Sequence, residues 1–146
     1  MRARVIVLAG PSGAGKSRLA ERLGLPVLRL DDFYKNGGDP TLPRIAAGAN
    51  AGLVDWDHPD SWLLGEALEA IRTLCSEGRV QVPIYELARD GRCGEQLLDL
   101  GGRRLFVAEG IFAQEVVRHA VELGCRPVRP DEAYAAIRDR EPVGRG

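Results

Sequence analysis

The chain has 146 residues, of which 45% are hydrophobic and 28% charged, and its formal net charge at pH 7 is −1. That length suits one domain with a substantial core, so residues 1–146 are treated as a single domain. The balanced charge excludes the broad basic field of a nucleic-acid-binding protein, and no apolar run approaches the length of a membrane span. Cys75, Cys93 and Cys125 lack metal or redox spacing and no signal-peptide pattern is present, which predicts a cytoplasmic protein with free thiols.

The first predicted unit is a strand, a glycine-rich loop and a helix. An apolar run over residues 5–9 predicts a buried parallel strand, and apolar residues recur at helical spacing over residues 16–23. Between them lies the pattern G-x-x-x-x-G-K-[ST], which is typical of a phosphate-binding loop. The residues predicted to bind a nucleotide are Gly10, Pro11, Ser12, Gly13, Ala14, Gly15, Lys16, Ser17 and Arg18.

Each fixed position of this loop has a physical role. The glycines let the backbone fold tightly, so that several N–H groups point at phosphate oxygens beside the helix N-terminus. Lys16 is expected to reach the β- and γ-phosphates of ATP, and the Ser17 hydroxyl is expected to bind Mg²⁺. The alternative is a glycine-rich turn with an incidental lysine. The strand–loop–helix context and the near absence of other lysines, with only Lys35 besides Lys16, speak against it.

The next segments predict a second strand, a long irregular stretch and a second helix. A short strand over residues 27–30 completes a strand–helix–strand unit, which implies a parallel sheet. Residues 31–58 show little periodicity, which is typical of a functional or mobile segment. A helix is predicted over residues 62–77, with Ser61 or Asp60 as its cap. The remaining predictions are an extended segment over 79–86, a turn over 99–102, a buried strand over 105–108 that ends at Glu109, a helix over 113–123 and a weakly patterned tail over 125–146.

Three predicted strands end in residues that can carry chemistry. The first ends in the phosphate loop, the second in Asp31 and Asp32, and the third in Glu109. Because the carboxyl ends of parallel strands meet at one edge of a sheet, we expect these residues to converge on one crevice. One carboxylate can hold Mg²⁺ near phosphates, and another can orient or deprotonate an attacking hydroxyl. The alternatives are a solvated turn for Asp31 and Asp32 and a surface charge for Glu109.

Four further motifs follow the loop in order, at residues 30–35 (LDDFYK), 55–60 (DWDHPD), 81–86 (QVPIYE) and 106–111 (FVAEGI). Together with the loop they resemble the uridine kinase family, P-loop kinases related to phosphoribulokinase, over roughly residues 3–123. The resemblance implies a three-layer α/β/α fold whose parallel sheet has the strand order 2-3-1-4. It also implies ATP-dependent transfer of the γ-phosphate to a small hydroxyl acceptor, first of all the 5′-hydroxyl of uridine or cytidine.

The resemblance implies catalytic and metal-binding roles. Asp31 matches the catalytic aspartate that positions and helps to deprotonate the acceptor hydroxyl, and it works with Lys16. We prefer Asp31 to Asp32 because it is the first residue after the strand. Glu109 matches the acidic residue of the Mg²⁺ shell, together with Ser17. ATP and Mg²⁺ are therefore the expected cofactors.

The resemblance also implies an acceptor site. Asp57 matches the residue that binds the ribose hydroxyls, and a carboxylate with two hydrogen bonds to a vicinal diol would select a ribose. Tyr85 matches an aromatic residue near the base, and Phe33 and Tyr34 are expected to wall the pocket. Ordinary packing is the alternative for the two tyrosines, and we expect His58 to brace a loop rather than to transfer protons.

The resemblance ends near residue 124. The family normally continues with a strand, an arginine-rich helix and lid, and a last strand, whereas Pro142, Gly144 and Gly146 disfavour a lid helix. We therefore expect the lid and last strand to be missing, and an exposed sheet edge to permit a homo-oligomer. Two alternatives stay open: a nucleotide-binding remnant or module with little catalysis, and a related kinase for another alcohol such as a sugar phosphate.

Overall fold

The computed structural model describes residues 2–11, 15–119 and 121–122. The predicted tail over 125–146, with the lid and last strand expected to be missing there, lies outside the described residues, as do Ser12, Gly13 and Ala14. The strands are β1 (Arg4–Ala9), β2 (Val27–Arg29), β3 (Arg79–Glu86), β4 (Gly91–Asp99) and β5 (Leu105–Gly110). The α-helices are α1 (Lys16–Leu23), α2 (Leu64–Glu77) and α3 (Ala113–Arg118), and short 3-10 helices cover Leu30–Phe33, Pro59–Ser61 and Leu87–Arg89.

The main sheet is parallel, as predicted, with β5 between β1 and β2. Phe106 and Val107 on β5 are 0% exposed, as expected for a central strand whose two faces are covered. All three α-helices contact this sheet, which makes the fold α/β. The first, second and third strands of the predicted parallel sheet are β1, β2 and β5. The observed order β1-β5-β2 therefore corresponds, read in reverse, to the 2-3-1 part of the predicted order. The main sheet has three strands among the described residues, so the predicted place of a fourth strand, and with it the full order, stays a prediction.

The core forms where α2 lies on the sheet. Ala67, Ala70, Ile71 and Leu74 recur at helical spacing and form the buried face of α2. They join Phe106 and the other buried residues in one hydrophobic cluster, and burying each large apolar side chain contributes about 1.5–3 kcal/mol. Among the described residues no helix is both long enough and apolar enough to cross a membrane.

A separate antiparallel hairpin is formed by β3 and β4, which pair from Arg79 with Asp99 to Glu86 with Gly91. The extended segment over 79–86 was predicted, but its partner strand was not. Most residues of β4 are exposed and two are glycines, so that segment shows no alternation of apolar and polar residues. The pairing with β3 is therefore a long-range outcome that local sequence pattern does not reveal.

The predicted cap of the second helix is wrong. The helix begins at Leu64 without a side-chain cap, whereas Ser61 belongs to a 3-10 helix and is 0% exposed. The Ser61 hydroxyl is directed at the carbonyl oxygens of Trp56, at 3.1 Å, and of His58, at 2.7 Å. His58 Nδ1 in turn accepts a hydrogen bond from the backbone N–H of Asp60, at 3.0 Å. These contacts make the 55–62 segment an ordered turn, in which His58 braces the loop.

We predict that Trp62→Phe lowers the free energy of unfolding by about 1–3 kcal/mol. The buried Trp62 Nε1–H donates to the carbonyl oxygen of Leu30 at 2.7 Å, and phenylalanine would keep an aromatic side chain but leave that oxygen without this donor and part of the indole volume unfilled. Urea unfolding measures the change. The control Leu53→Ala, at a residue 60% exposed, should stay within about 0.5 kcal/mol of wild type. Equal stability of Trp62→Phe and wild type would contradict the prediction.

Candidate active site

The described part of the phosphate loop lies between β1 and α1. Gly15 has a φ of +90°, a left-handed conformation that favours glycine, directly before the first helical residue. Lys16 Nζ donates to the carbonyl oxygens of Gly10 and Pro11, both at 2.8 Å. The ammonium group is therefore held over the loop's own backbone, where an incoming polyphosphate would compete for it. Arg18, another predicted nucleotide-binding residue, is exposed on α1.

The first turn of α1 meets the end of β5. Ser17 Oγ donates to Glu109 Oε1 at 3.2 Å, and Glu109 is only 7% exposed. Mg²⁺ prefers hard oxygen ligands and is usually held by one or two protein oxygens together with phosphates and water. A hydroxyl beside a carboxylate fits that description, and the described residues contain no cluster of three acidic, histidine or cysteine side chains that could hold a metal alone. The pair therefore suits a magnesium ion that arrives with a nucleotide.

Asp31 lies at the same end of β5. Its Oδ1 accepts a hydrogen bond from the backbone N–H of Ile111, at 3.1 Å. The close approach depends on Gly110, because a Cβ built there would lie 2.8 Å from Asp31 Oδ1 and 2.8 Å from Leu30 Cβ. The carboxylate thus lies beside the strand end that carries Glu109, which meets Ser17.

Asp32 is directed at a different element from Asp31. Its Oδ1 accepts from the backbone N–H of Tyr85 at 3.3 Å, and its Oδ2 lies 3.9 Å from Arg29 Nε. Burial raises the pKa of Asp32, while the Tyr85 N–H and the Arg29 charge act in the opposite direction. Asp31 therefore adjoins β5 and Asp32 adjoins β3, and the choice of Asp31 as the catalytic residue stays a prediction.

Tyr34 lies among aromatic rings and carboxylates. The ring centroids of three aromatic residues are near its own: Trp56 at 5.7 Å, Tyr85 at 5.8 Å and Phe112 at 5.9 Å. Burial raises the pKa of the Tyr34 phenol, and the negative charges of Asp31 and Asp57 raise it further. The structure therefore packs Tyr34 against Tyr85, and the charges of Asp31 and Asp57 act on the Tyr34 phenol.

Phe33 differs from Tyr34 in its burial. It is 2% exposed and belongs to the hydrophobic core, and its role as a wall of the acceptor pocket stays a prediction. Phe33 and Tyr34 are consecutive but have different surroundings: Phe33 is buried in the core, whereas Tyr34 is half-buried beside Trp56 and Tyr85. Phe112, whose ring lies beside that of Tyr34, was not among the predicted site residues. Its position three residues after Glu109 was the one sign in the sequence that it could lie near the site.

Comparisons with known proteins agree on a family. The sequence model of the phosphoribulokinase/uridine kinase family matches residues 5–124. The uridine kinase of Lactobacillus johnsonii is 25% identical over 74% of this chain and 52% of its own length, and that of Schizosaccharomyces pombe is 32% identical over 75% and 25%. The inorganic pyrophosphatase TTM1 of Arabidopsis thaliana is 30% identical over 82% of this chain but 18% of its own. The chain thus spans about half or less of the length of these relatives.

Solved structures agree on the fold. A possible uridine kinase from Bacillus stearothermophilus matches 78% of this chain and 64% of its own with a TM-score of 0.58 and 20% identity. A putative fructose transport system kinase from Silicibacter matches 76% and 55% with a TM-score of 0.54 and 24% identity. These likenesses show the α/β fold of P-loop kinases. Since the family model covers most of the sequence, the chain belongs to the phosphoribulokinase/uridine kinase family.

Proposed function

We propose that the protein is an ATP-dependent kinase that transfers the γ-phosphate to a hydroxyl group of a small acceptor, with uridine and cytidine as the first candidates. One observation carries the proposal: the Asp31 carboxylate lies beside the end of β5, the strand end at which Glu109 meets Ser17. It bonds to Ile111 N at 3.1 Å, two residues after Glu109, and its charge acts on Tyr34. A module that only bound nucleotide would need neither Asp31 nor Asp57 near an aromatic wall.

On the phosphate side, the proposal assigns ATP to the loop from Gly10 to Ser17 and to Arg18. Lys16 would leave the carbonyl oxygens that it now contacts and bind the β- and γ-phosphates. Ser17 and Glu109 would hold Mg²⁺, which when bound supplies neutralisation of phosphate charge. The buried position of Glu109 keeps its carboxylate beside Ser17, so this pair requires little rearrangement.

On the acceptor side, Asp31 would orient the acceptor hydroxyl and accept its proton. The hydroxyl oxygen forms a bond to the γ-phosphorus while the bond between that phosphorus and the bridging oxygen breaks, and ADP leaves with the electron pair. Asp57 would bind the vicinal hydroxyls of a ribose, and Tyr34 and Tyr85 would contact the rest of the acceptor. Holding the hydroxyl in line with the γ-phosphate is the main contribution expected of the protein.

The surroundings of Tyr34 bear on the choice among acceptors. The charges of Asp31 and Asp57 both act on its phenol, so we expect this side of the proposed acceptor site to be negatively charged and to disfavour a phosphorylated acceptor such as a sugar phosphate.

The match to the pyrophosphatase TTM1 covers 18% of that protein, so its name carries no activity over to this chain. The proposal includes a cytoplasmic location, where ATP is available. Transfer of label from Mg·ATP to a panel of nucleosides and small alcohols tests it directly.

We predict that Lys16→Ala weakens ATP binding and lowers phosphate transfer by about 10²–10³-fold, because a charge directed at the phosphates is lost. Arg22→Ala is the matched control, since Arg22 is an exposed cation in the last turn of the same helix. It should leave both quantities unchanged. Calorimetric ATP binding and the labelled transfer assay measure the two effects. Unchanged ATP affinity and turnover in Lys16→Ala would refute the phosphate-loop assignment.

We predict that Asp31→Asn lowers kcat by at least about a hundredfold and spares ATP affinity, because the amide neither carries the charge nor accepts the proton. Asp32→Asn is the matched control: its side-chain oxygen can still accept from Tyr85 N, so kcat should fall far less. Steady-state kinetics and ATP titrations distinguish the two variants. Equal losses of kcat in both, or a parallel loss of ATP affinity in Asp31→Asn, would overturn the role of Asp31.

We predict that Asp57→Ala reduces the preference for a ribose. Hydrogen bonds to a charged group contribute about 1.5–3 kcal/mol, so wild type should favour uridine over 2′-deoxyuridine by at least about tenfold in kcat/KM. Asp57→Ala should bring the two acceptors closer in kcat/KM through a larger loss for uridine, because 2′-deoxyuridine has only one of the two hydroxyls that Asp57 would bind. Asp60→Ala, in the same segment and with a side chain 76% exposed, is the control and should keep the preference. A preference unchanged in Asp57→Ala would show that another group reads the ribose.

A further inference from the structure

The tip of the β3–β4 hairpin is joined to the segment that follows Tyr34. Asn36 Oδ1 accepts a hydrogen bond from the backbone N–H of Arg92 at 2.9 Å, and the backbone N–H of Gly37 donates to the carbonyl oxygen of Asp90 at 2.7 Å. The donor in the first bond is a backbone N–H, so the acceptor must be the amide oxygen of Asn36. We call Asn36, Gly37, Asp90, Gly91 and Arg92 the clasp.

The clasp brings two backbones closer than side chains would allow. A Cβ at Gly37 would lie 2.8 Å from Asp90 Cβ, and a Cβ at Gly91 would lie 2.8 Å from Asn36 Oδ1. Asp90 has a φ of +49°, the one positive value among the described residues that are not glycine. Such a conformation persists only where the surroundings hold it. The neighbouring Gly38 has no atom within 4 Å of a built Cβ, so the close approach is specific to the clasp.

The same segment carries the acceptor residues and has further bonds to the hairpin. The Tyr85 phenol donates to the carbonyl oxygen of Lys35 at 3.2 Å, and Tyr85 N donates to Asp32 Oδ1 at 3.3 Å. Lys35 follows Tyr34 and Asp32 follows Asp31, so each bond adjoins a proposed acceptor residue. The hairpin does not share strand pairing with the main sheet, so its position depends on the packing of β3 on α2, on the ion pair between Arg92 and Glu66 of α2, and on contacts such as these bonds.

We propose that Asn36 is a positioning residue for acceptor binding: through the clasp it holds the hairpin tip, and with it Tyr85, against the segment that carries Asp31 and Tyr34. The inference rests on the proposed function, since it assigns Asn36 a role in the same reaction. Losing one hydrogen bond of this kind lowers the ratio of molecules with the clasp formed to molecules with the clasp broken by about three- to tenfold. The change should appear on the acceptor side, because Lys16, Ser17 and Glu109 make no contact with the clasp among the bonds of the described residues.

Kinetics of four variants test the proposal. Asn36 is exposed, so Asn36→Ala should fold, and it should raise the KM for the acceptor about three- to tenfold while the KM for ATP stays within about twofold. Asn36→Asp should restore most of the loss, because a carboxylate oxygen can accept the same N–H. Gly37→Ala should act like Asn36→Ala, and Gly38→Ala should behave as wild type. An unchanged acceptor KM in Asn36→Ala, an equal rise in the KM for ATP, or no rescue by Asn36→Asp would overturn the proposal.

Amide hydrogen exchange supplies a readout that does not require activity. In Asn36→Ala, exchange should accelerate at the Arg92 amide and also at the Tyr85 amide, whose bond to Asp32 depends on the position of the hairpin. Acceleration confined to Arg92 would overturn the proposal, since the clasp would then not reach the acceptor segment. If wild type transferred phosphate to no acceptor, the proposed function would fail, and exchange at Tyr85 would still decide whether the clasp positions this segment.

Discussion

The parallel pairing of β5 with both β1 and β2 is the constraint on which the site depends. Glu109 is in register with Leu8 on one side and with Arg29 on the other. The chain therefore leaves β1 toward the phosphate loop, and leaves β2 toward Asp31, at nearly the same height on the sheet. Since all three strands run in one direction, their loops must share one edge. This explains why Ser17 and Glu109 meet although they are 92 residues apart.

The convergence places strict limits on side-chain volume at the strand ends. Gly110 lies between Asp31 and the end of β5, and any side chain there would displace the Asp31 carboxylate or the Leu30 side chain. Because Leu30 is 0% exposed and receives the indole N–H of Trp62 on its carbonyl oxygen, it has little room to yield. The packed core and the position of Asp31 are thus coupled through one glycine, and a change in either would be transmitted to the other.

The sequence allowed prediction of those parts that depend on neighbouring residues. The loop motif, the buried run of β5 and the spacing of α2 are local patterns, and they predicted the strands and helices of the main sheet. The strand β4 was not predicted because it depends on pairing with β3 and not on a pattern of its own. The contacts of the Ser61 hydroxyl with two carbonyl oxygens and the burial of Phe33 depend on which side of a turn faces the core. No periodicity in the sequence reports such contacts.

The two halves of the proposed site, the phosphate half and the acceptor half, therefore differ in how they are built. The phosphate half arises from one short motif and the register of a parallel sheet, so it should tolerate changes elsewhere in the chain. The acceptor half depends on bonds between the segment after β2 and a hairpin that is 50 to 56 residues away and outside the main sheet. A change in the hairpin can move Tyr85 without disturbing Lys16 or Glu109. In this architecture acceptor selection can diverge while nucleotide binding is retained, because only the acceptor half requires the two sheets to stay in a fixed relation.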